Sequence, residues 1–409
     1  MKNIKLLKII YKYLLRVIFL PVSLLLLSTI IIVKPFKIIR ICRVPSTRFG
    51  HFIGNTEIYL TYRNSFKKKK DLILFFLSEP IANNFVKILV KRKLTVFPSF
   101  VLLNIHSILK KLKKFNFFKS YILNIREYDR DLDNVLIKNK VNLTLNSQEE
   151  KRGLDFLKNI GLNENDKFVC LINRESNYLK NRKVNHEIHE FRNSEINNYK
   201  LACEEILKKG FYIFRMGRNV KPFNLSDKKF IDYANYKYQS DFLDIFLASK
   251  CQFAFGDGDG WIMAPIAFRK PMALANWVPA GIPYLHSDNL FYLFKHYYDK
   301  KTGKNLTLKE IFSYKLAFLR NFNKSNNQFE LKENSPEEIR DLVLELILKL
   351  EKKWQHYTND SLLKNNFSNI MNINSKNKIW SLKKDHKLHN RILGNYSMNF
   401  LRKNSSWIK

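Results

Sequence analysis

Cysteine is scarce and scattered. Only Cys42, Cys170, Cys203 and Cys251 occur, and no two form a CxxC pair. That spacing excludes a zinc ribbon or a disulfide framework and suits a reducing compartment. Strict GxGxxG and GxxxxGK[ST] motifs are missing, which removes the dehydrogenase fingerprint and the P-loop ATPase. His186 and His189 stand without an HExxH frame, so the helix of a zinc hydrolase is absent. Asp257 and Asp259 begin like a calcium loop, but no Glu follows at the twelfth position. No metal and no bound cofactor are therefore expected. Helix-turn-helix, zinc-finger and aromatic RNA-binding patterns are lacking too, so nucleic acid is not an expected partner.

Acidic residues are also few. The 409 residues hold 36 Asp and Glu against 72 Lys and Arg, a formal net charge of +36. Such a surplus attracts polyanions, whether anionic lipid or phosphorylated substrates. A general bias toward Lys, Asn and Ile would produce the same surplus without any partner. The 45% apolar fraction is that of a folded protein with a sizeable core.

One long apolar run stands out. Val17 to Val33 carries no charge, and Lys2, Lys5, Lys8, Lys12 and Arg16 precede it while Lys34, Lys37, Arg40 and Arg43 follow. It is at the short limit for a spanning helix. No small-residue cleavage site follows, which disfavours a signal peptide. Cations on both flanks suit a helix lying in, or dipping into, the anionic cytoplasmic leaflet. The alternative is an N-terminal core helix.

Beyond this segment, short apolar runs alternate with helical patterns, the mark of βαβ units. Strands are expected at 71–77, 94–97, 167–172, 211–214, 252–255 and 272–275, with helices at 81–93, 100–114, 194–210, 242–249 and 261–268. Ser147-Gln-Glu-Glu150 reads as a capping box, and Ser335-Pro-Glu-Glu338 as the start of a helix running to about Trp354. The fold class is α/β, with two Rossmann-like domains facing a cleft and an apolar, membrane-associated N-terminal helix. The expected divisions are 1–43 (membrane segment), 44–160 (acceptor domain), 161–354 (donor domain) and 355–409 (a partly ordered tail). Within that tail, Ile392 to Ile408 holds enough apolar residues to dock.

Candidate chemistry gathers at strand ends. Cys251-Gln-Phe-Ala-Phe-Gly-Asp-Gly-Asp-Gly-Trp261 runs from a buried strand into a turn with three glycines, Gly256, Gly258 and Gly260, and then a helix. Such a turn suits an anion, because glycine lets backbone N–H groups approach closely. Arg174 and Glu175 follow directly on a strand, where a guanidinium can grip phosphate or simply be solvated. His189, Arg192 and Asn193 precede a helix; Arg215 and Gly217 end one strand and Asp232 another. Ser240 reads as an N-cap, with Asp241 and Asp244 in the first turn behind it. Asp257 and Asp259 offer bonds to ribose or sugar hydroxyls. His51 and Glu57 beside it are the catalytic candidates, His51 as a base or else a histidine satisfying a local backbone group.

Taken as an ordered set, Arg48-Phe-Gly-His51, His189-Glu-Phe-Arg-Asn193, Phe214-Arg-Met-Gly217, Ile231-Asp-Tyr-Ala234, Ser240-Asp-Phe-Leu-Asp244 and the Gly-rich turn with Pro265 and Pro271 resemble a bacterial family of glycosyltransferases. That family occurs in surface-polysaccharide gene clusters, lipopolysaccharide biosynthesis among them, and is related in layout to GT-B enzymes. The resemblance covers roughly 45–350 and is densest from Lys167 to Pro283. This chain departs from the family at Gly-Asp-Gly-Asp-Gly, where a Ser-Gly or similar small pair is expected. The resemblance implies a nucleotide-sugar held mainly by the second domain without metal. Arg174 and Arg215 would contact the pyrophosphate, and Gly256, Gly258 and Gly260 would shape the diphosphate loop. Asp241 and Asp244 would order the nucleotide's surroundings, and His51 would deprotonate the acceptor. The expected function is transfer of a sugar to a lipid-linked or cell-surface glycan acceptor at the cytoplasmic face of a bacterial inner membrane. The alternative is a non-catalytic basic scaffold binding anionic lipid or polyphosphate.

Overall fold

The computed structural model describes residues 10–11, 13–65, 71–128, 131, 133–175, 187–282, 287–319, 322, 328–374, 376–378, 385–387 and 394–409. His186, Pro283 and the side chain of His189 lie outside the described residues. The chain divides into two compact units: Met1–Asp129 with Asn139–Thr144, and Arg130–Lys138 with Leu145–Lys409.

The first unit is built on a three-stranded parallel sheet. Its strands are β1 (Ile39–Val44), β2 (Leu72–Leu77) and β3 (Ile122–Leu123), in the order β2-β1-β3. β1 reads Ile-Arg-Ile-Cys-Arg-Val with Ile41, Cys42 and Val44 buried; Arg40 pairs with Asp71 at 2.8 Å and Arg43 donates to Ser78 Oγ at 2.6 Å. The central strand thus lies partly within the expected membrane segment, and that segment belongs to the unit. The apolar helix Leu20–Ile32 and the helix Ser99–Leu112 bury Leu27, Ile30, Leu102, Ile105 and Leu109 with Ile41, Phe76 and Tyr121. Leu94–Phe97, expected as a strand, makes one bridge, Val96 to Phe75.

The second unit carries a seven-stranded sheet in which every pair is parallel. In chain order its strands are β4 (Phe168–Ile172), β5 (Tyr212–Met216), β6 (Phe230–Ile231), β7 (Ala254–Gly256), β8 (Met272–Trp277), β9 (Leu290–Phe294) and a last strand, Asn395–Tyr396. They lie in the order β6-β5-β4-β7-β8-β9-(Asn395–Tyr396). β4, β7, β8 and β9 are buried along their whole length and, apart from Asn276 in β8, apolar, as parallel strands covered on both faces must be. The helix Ser147–Asn159 belongs to this unit, so the break falls at Thr144/Leu145 and not near 160. Its N-cap is Asn146, one residue ahead of the expected Ser147, with Glu149 closing the capping box. A Cβ on Gly153 would fall 2.1 Å from the Phe246 ring, so the helix rests directly on Asp241–Lys250. The end of the chain docks as its apolar content predicts: Tyr396 stacks on Phe367 at 4.6 Å, and Met398, Phe400, Leu401 and Ile408 are buried.

Candidate functional site

From β4 the chain winds outward through β5 and β6; from β7 it winds outward in the other direction. The connections therefore part between β4 and β7, which makes a switch point whose carboxyl edge is where an open parallel sheet takes ligands. Asn173 and Arg174 leave β4 there, and Asp257 leaves β7. Asp257 Oδ2 accepts from the Arg174 backbone N–H at 2.8 Å and from Ser194 Oγ at 2.6 Å. Asn173 Nδ2 donates to the Ser194 carbonyl at 2.8 Å, so three chain segments are stitched together at one point. Burial pushes the Asp257 carboxyl up to about 6, against the pull of those two donors.

This knot is only partly satisfied from within. Asn173 Oδ1, Arg174 Nε, Asp257 Oδ1 and Trp261 Nε1 are buried and lack a hydrogen-bond partner. Buried polar groups are rarely left so, and these four leave hydrogen-bonding capacity near the switch point that no protein group takes up. Arg174 forms the rim: its side chain is 10% exposed, and Nη1 lies 3.6 Å from Asp259 Oδ2, itself 23% exposed. Lys295, directly after β9, donates to the Asn193 carbonyl at 2.5 Å and lies 3.7 Å from Glu333. Burial lowers its ammonium, and Glu333 and Asp257 counter that. The sequence reading passed over Asn173, Ser194 and Lys295; of the pair it offered to ribose or sugar hydroxyls, Asp257 lies in this knot and Asp259 against the rim arginine. A signal existed for Lys295, a charge directly after an apolar strand, the same that singled out Arg174.

The Gly-rich turn is folded upon itself and does not offer a row of bare N–H groups. Asp257 N–H donates to the Ile172 carbonyl at 3.1 Å, Asp259 N–H to the Asp257 carbonyl at 2.9 Å and Trp261 N–H to Asp259 Oδ1 at 2.8 Å. The Gly258 carbonyl accepts from Arg192. Gly256 has φ +142, and a Cβ there would fall 1.8 Å from the Ile172 carbonyl oxygen, so glycine serves the close approach of β7 to β4. The helix behind the turn is short, Met263–Ala267 after a 3-10 turn, Gly260–Ile262. Gly260 itself is exposed.

A second group forms beyond β5, and it corrects the expectation for Arg215. This side chain is fully buried, paired with Glu175 at 2.8 Å and Asp232 at 3.3 Å, and donates to the Lys221 carbonyl at 2.5 Å. Two carboxylates neutralise it, so it ties loops together and cannot reach a pyrophosphate. Asp232 also accepts from the Phe223 N–H at 3.2 Å. Ser240 caps the helix Asp241–Lys250 through Leu243 N–H. Asp241 and Asp244 share Arg218, at 2.6 and 2.5 Å, and Tyr233 Oη donates to Asp244 at 3.2 Å. Gly217, at φ +144, turns the chain toward Arg218.

In the first unit, His51 opens a π-turn, His51–Asn55, with Nδ1 at 2.9 Å from Asn55 Oδ1. Glu57 is completely buried and its carboxylate accepts from the N–H groups of Asn142 (3.0 Å) and Leu143 (3.0 Å), from Asn142 Nδ2 (3.2 Å) and from Thr61 Oγ1 (3.2 Å). Those donors assign Glu57 to structure, holding the segment Asn139–Thr144 in place; it is not the acid or base expected beside His51.

No family model matches the chain, and neither does any curated protein. Solved structures similar to it include the ADP-heptose LPS heptosyltransferase II of E. coli (10% identity, TM-score 0.42, 76% of this chain and 99% of that one). A glycosyl transferase family 9 protein of Veillonella parvula gives 9% identity and a TM-score of 0.46 over 76% of this chain and 97% of that one. The UDP-GlcNAc 2-epimerase of Neisseria meningitidis gives 13% and 0.29 over 78% and 100%. At these values the likeness carries no weight for the chemistry of the site.

Proposed function

We propose that this chain is a glycosyltransferase of GT-B-like layout, with the second unit holding a nucleotide-sugar donor. The sugar would pass to a lipid-linked or surface-glycan acceptor without a bound metal. One observation carries the reading: the switch point of an all-parallel sheet holds a rim arginine, Arg174, whose Nε is itself one of four buried polar atoms there without a protein partner. A donor diphosphate on Arg174 would take the guanidinium from Asp259, and its sugar or ribose hydroxyls would meet Asn173 Oδ1 and Asp257 Oδ1. As the bond to the anomeric carbon breaks, negative charge grows on the leaving diphosphate. A pre-placed guanidinium in a partly dry site stabilises that charge more than it stabilises the ground state. His51, its ring oriented by Asn55, is the proposed base that takes the acceptor proton.

The test is melting with UDP, GDP and CMP at low and high salt, paired with turnover. Specific binding gives stabilisation by one nucleotide that survives salt, whereas a purely electrostatic scaffold loses it. R174A should remove that stabilisation and cut turnover by about 10²–10³-fold while leaving the unliganded melting point in place. Unchanged turnover in R174A, or stabilisation by none of the three nucleotides, would overturn the assignment.

A further inference from the structure

The helix Leu20–Ile32 and the turn of chain ahead of it are apolar on every side, yet only one stripe is packed. Arg16, Phe19, Ser23, Leu27 and Ile30 face the helix Ser99–Leu112. Arg16 Nε donates to Asn104 Oδ1 at 3.0 Å, Asn104 Nδ2 returns a bond to the Arg16 carbonyl at 2.8 Å, and Ser23 Oγ reaches the Val101 carbonyl at 3.2 Å. The other faces are open: Val17, Ile18, Val22, Leu24, Leu25 and Ile32 are exposed, Leu25 at 71%. A helix that is hydrophobic all round but buried on one stripe lacks a partner for the rest.

Charge identifies that partner. Residues 1–56 contain no Asp or Glu, and neither do residues 80–126, which include the helix it packs on. Beyond the helix stands Phe36, 91% exposed, and Lys34 lies over the Phe117 ring at 3.8 Å. Phe115 and Phe117 are exposed among Lys110, Lys111, Lys113, Lys114 and Lys119, all exposed. Aromatics interleaved with lysines beside a bare apolar face complement an anionic bilayer surface: rings and aliphatic chains enter the acyl boundary while ammonium groups meet headgroup phosphates. A second copy of this chain would instead bring two lysine clusters together.

We infer that the open faces of this helix, with Phe36, Phe115, Phe117 and the surrounding lysines, form a monotopic docking surface for anionic lipid, on which the helix lies in the membrane plane. Crossing the bilayer would strip Arg16 and Ser23 of their bonds to the helix Ser99–Leu112, and among the described residues no helix is long and apolar enough to span. The inference is independent of the transferase reading, because the experiment needs neither donor nor acceptor.

The full chain is sedimented with phosphatidylcholine vesicles with and without phosphatidylglycerol. Binding should be strong only with phosphatidylglycerol and weaken without vanishing in high salt. V22E/L25E should lower it by about tenfold or more, as expected for loss of an interfacial apolar face. K110E/K111E/K113E/K114E should remove the preference for phosphatidylglycerol. All four native cysteines are buried, so cysteines introduced singly as I10C and K37C, an exposed position at headgroup level beyond the inserted rings, report the helix ends. Both should react with an impermeant maleimide from outside the vesicle. Protection of one end would mean a span and overturn the in-plane geometry. Wild-type binding by V22E/L25E, or a lipid-free dimer that this variant dissolves, would overturn the lipid assignment.

Discussion

Glu57 is a carboxylate at zero exposure, held by four donors, three of them from Asn142 and Leu143. Removing it takes the acceptor from the Asn142 and Leu143 N–H groups, while Thr61 Oγ1 and Asn142 Nδ2 keep other partners, so E57A should cost about 2–4 kcal/mol of the first unit's stability in denaturant unfolding. Nucleotide stabilisation of the second unit should not change with it. Asp257 behaves differently, because nothing balances its burial fully. Its folded value of about 6 lies above the ordinary 3.8. Between these values the folded state keeps a proton that the unfolded state has released, so stability falls as pH rises through the window. The loss is complete above about pH 6 and amounts to at most about 3 kcal/mol. Asp244 is also raised to about 6 by burial, against Arg218, and acts in the same sense. Unfolding followed from about pH 4 to 7 should show this slope, and D257N should flatten part of it. At Gly256 the constraint is steric: with φ +142 and the Ile172 oxygen 1.8 Å from any Cβ, G256A should cost more than about 3 kcal/mol or prevent folding.

At the scale of elements, the strands that were legible are those buried on both faces. Phe168–Ile172 and the 272–275 part of Met272–Trp277 read directly as apolar runs because a parallel sheet covered by helices leaves no polar side to confuse the pattern. β1 was not legible, since Arg40 and Arg43, three residues apart and so on opposite faces, break the two-residue period and blend with the basic flank of the apolar helix. Two-residue β3 carries too little pattern to see, and β9 looks the same as a buried helical turn. The site was half legible for a related reason. A charged residue at a strand end is visible in sequence, and it picked out Arg174. The same signal picked out Arg215, but the carboxylates that consume it, Glu175 and Asp232, come from other loops. Which strand-end charge is left for a ligand is decided by partners distant in the chain. The closing strand is testable at this scale. Tyr396 stacks on Phe367 and Trp407, so Y396A should lower the second unit's stability by about 3–5 kcal/mol, read by its melting point.

At the scale of the molecule, charge and division matter most. The net +36 is unevenly placed, with two long acid-free stretches both in the first unit. The division itself is threaded: the polypeptide leaves the first unit after Asp129, re-enters it for Asn139–Thr144, and leaves again. Val135 and Leu136, in the short loop out, are buried in the second unit, and Arg269 Nε holds the Leu136 carbonyl at 2.8 Å. No single scissor point therefore yields two whole pieces. A fragment starting at 145 forfeits a plug of its own interior, and one ending at 129 forfeits the ribbon that clamps Glu57; expressing either half alone calls for splicing its two segments, 129 to 139 or 138 to 145, through a short linker.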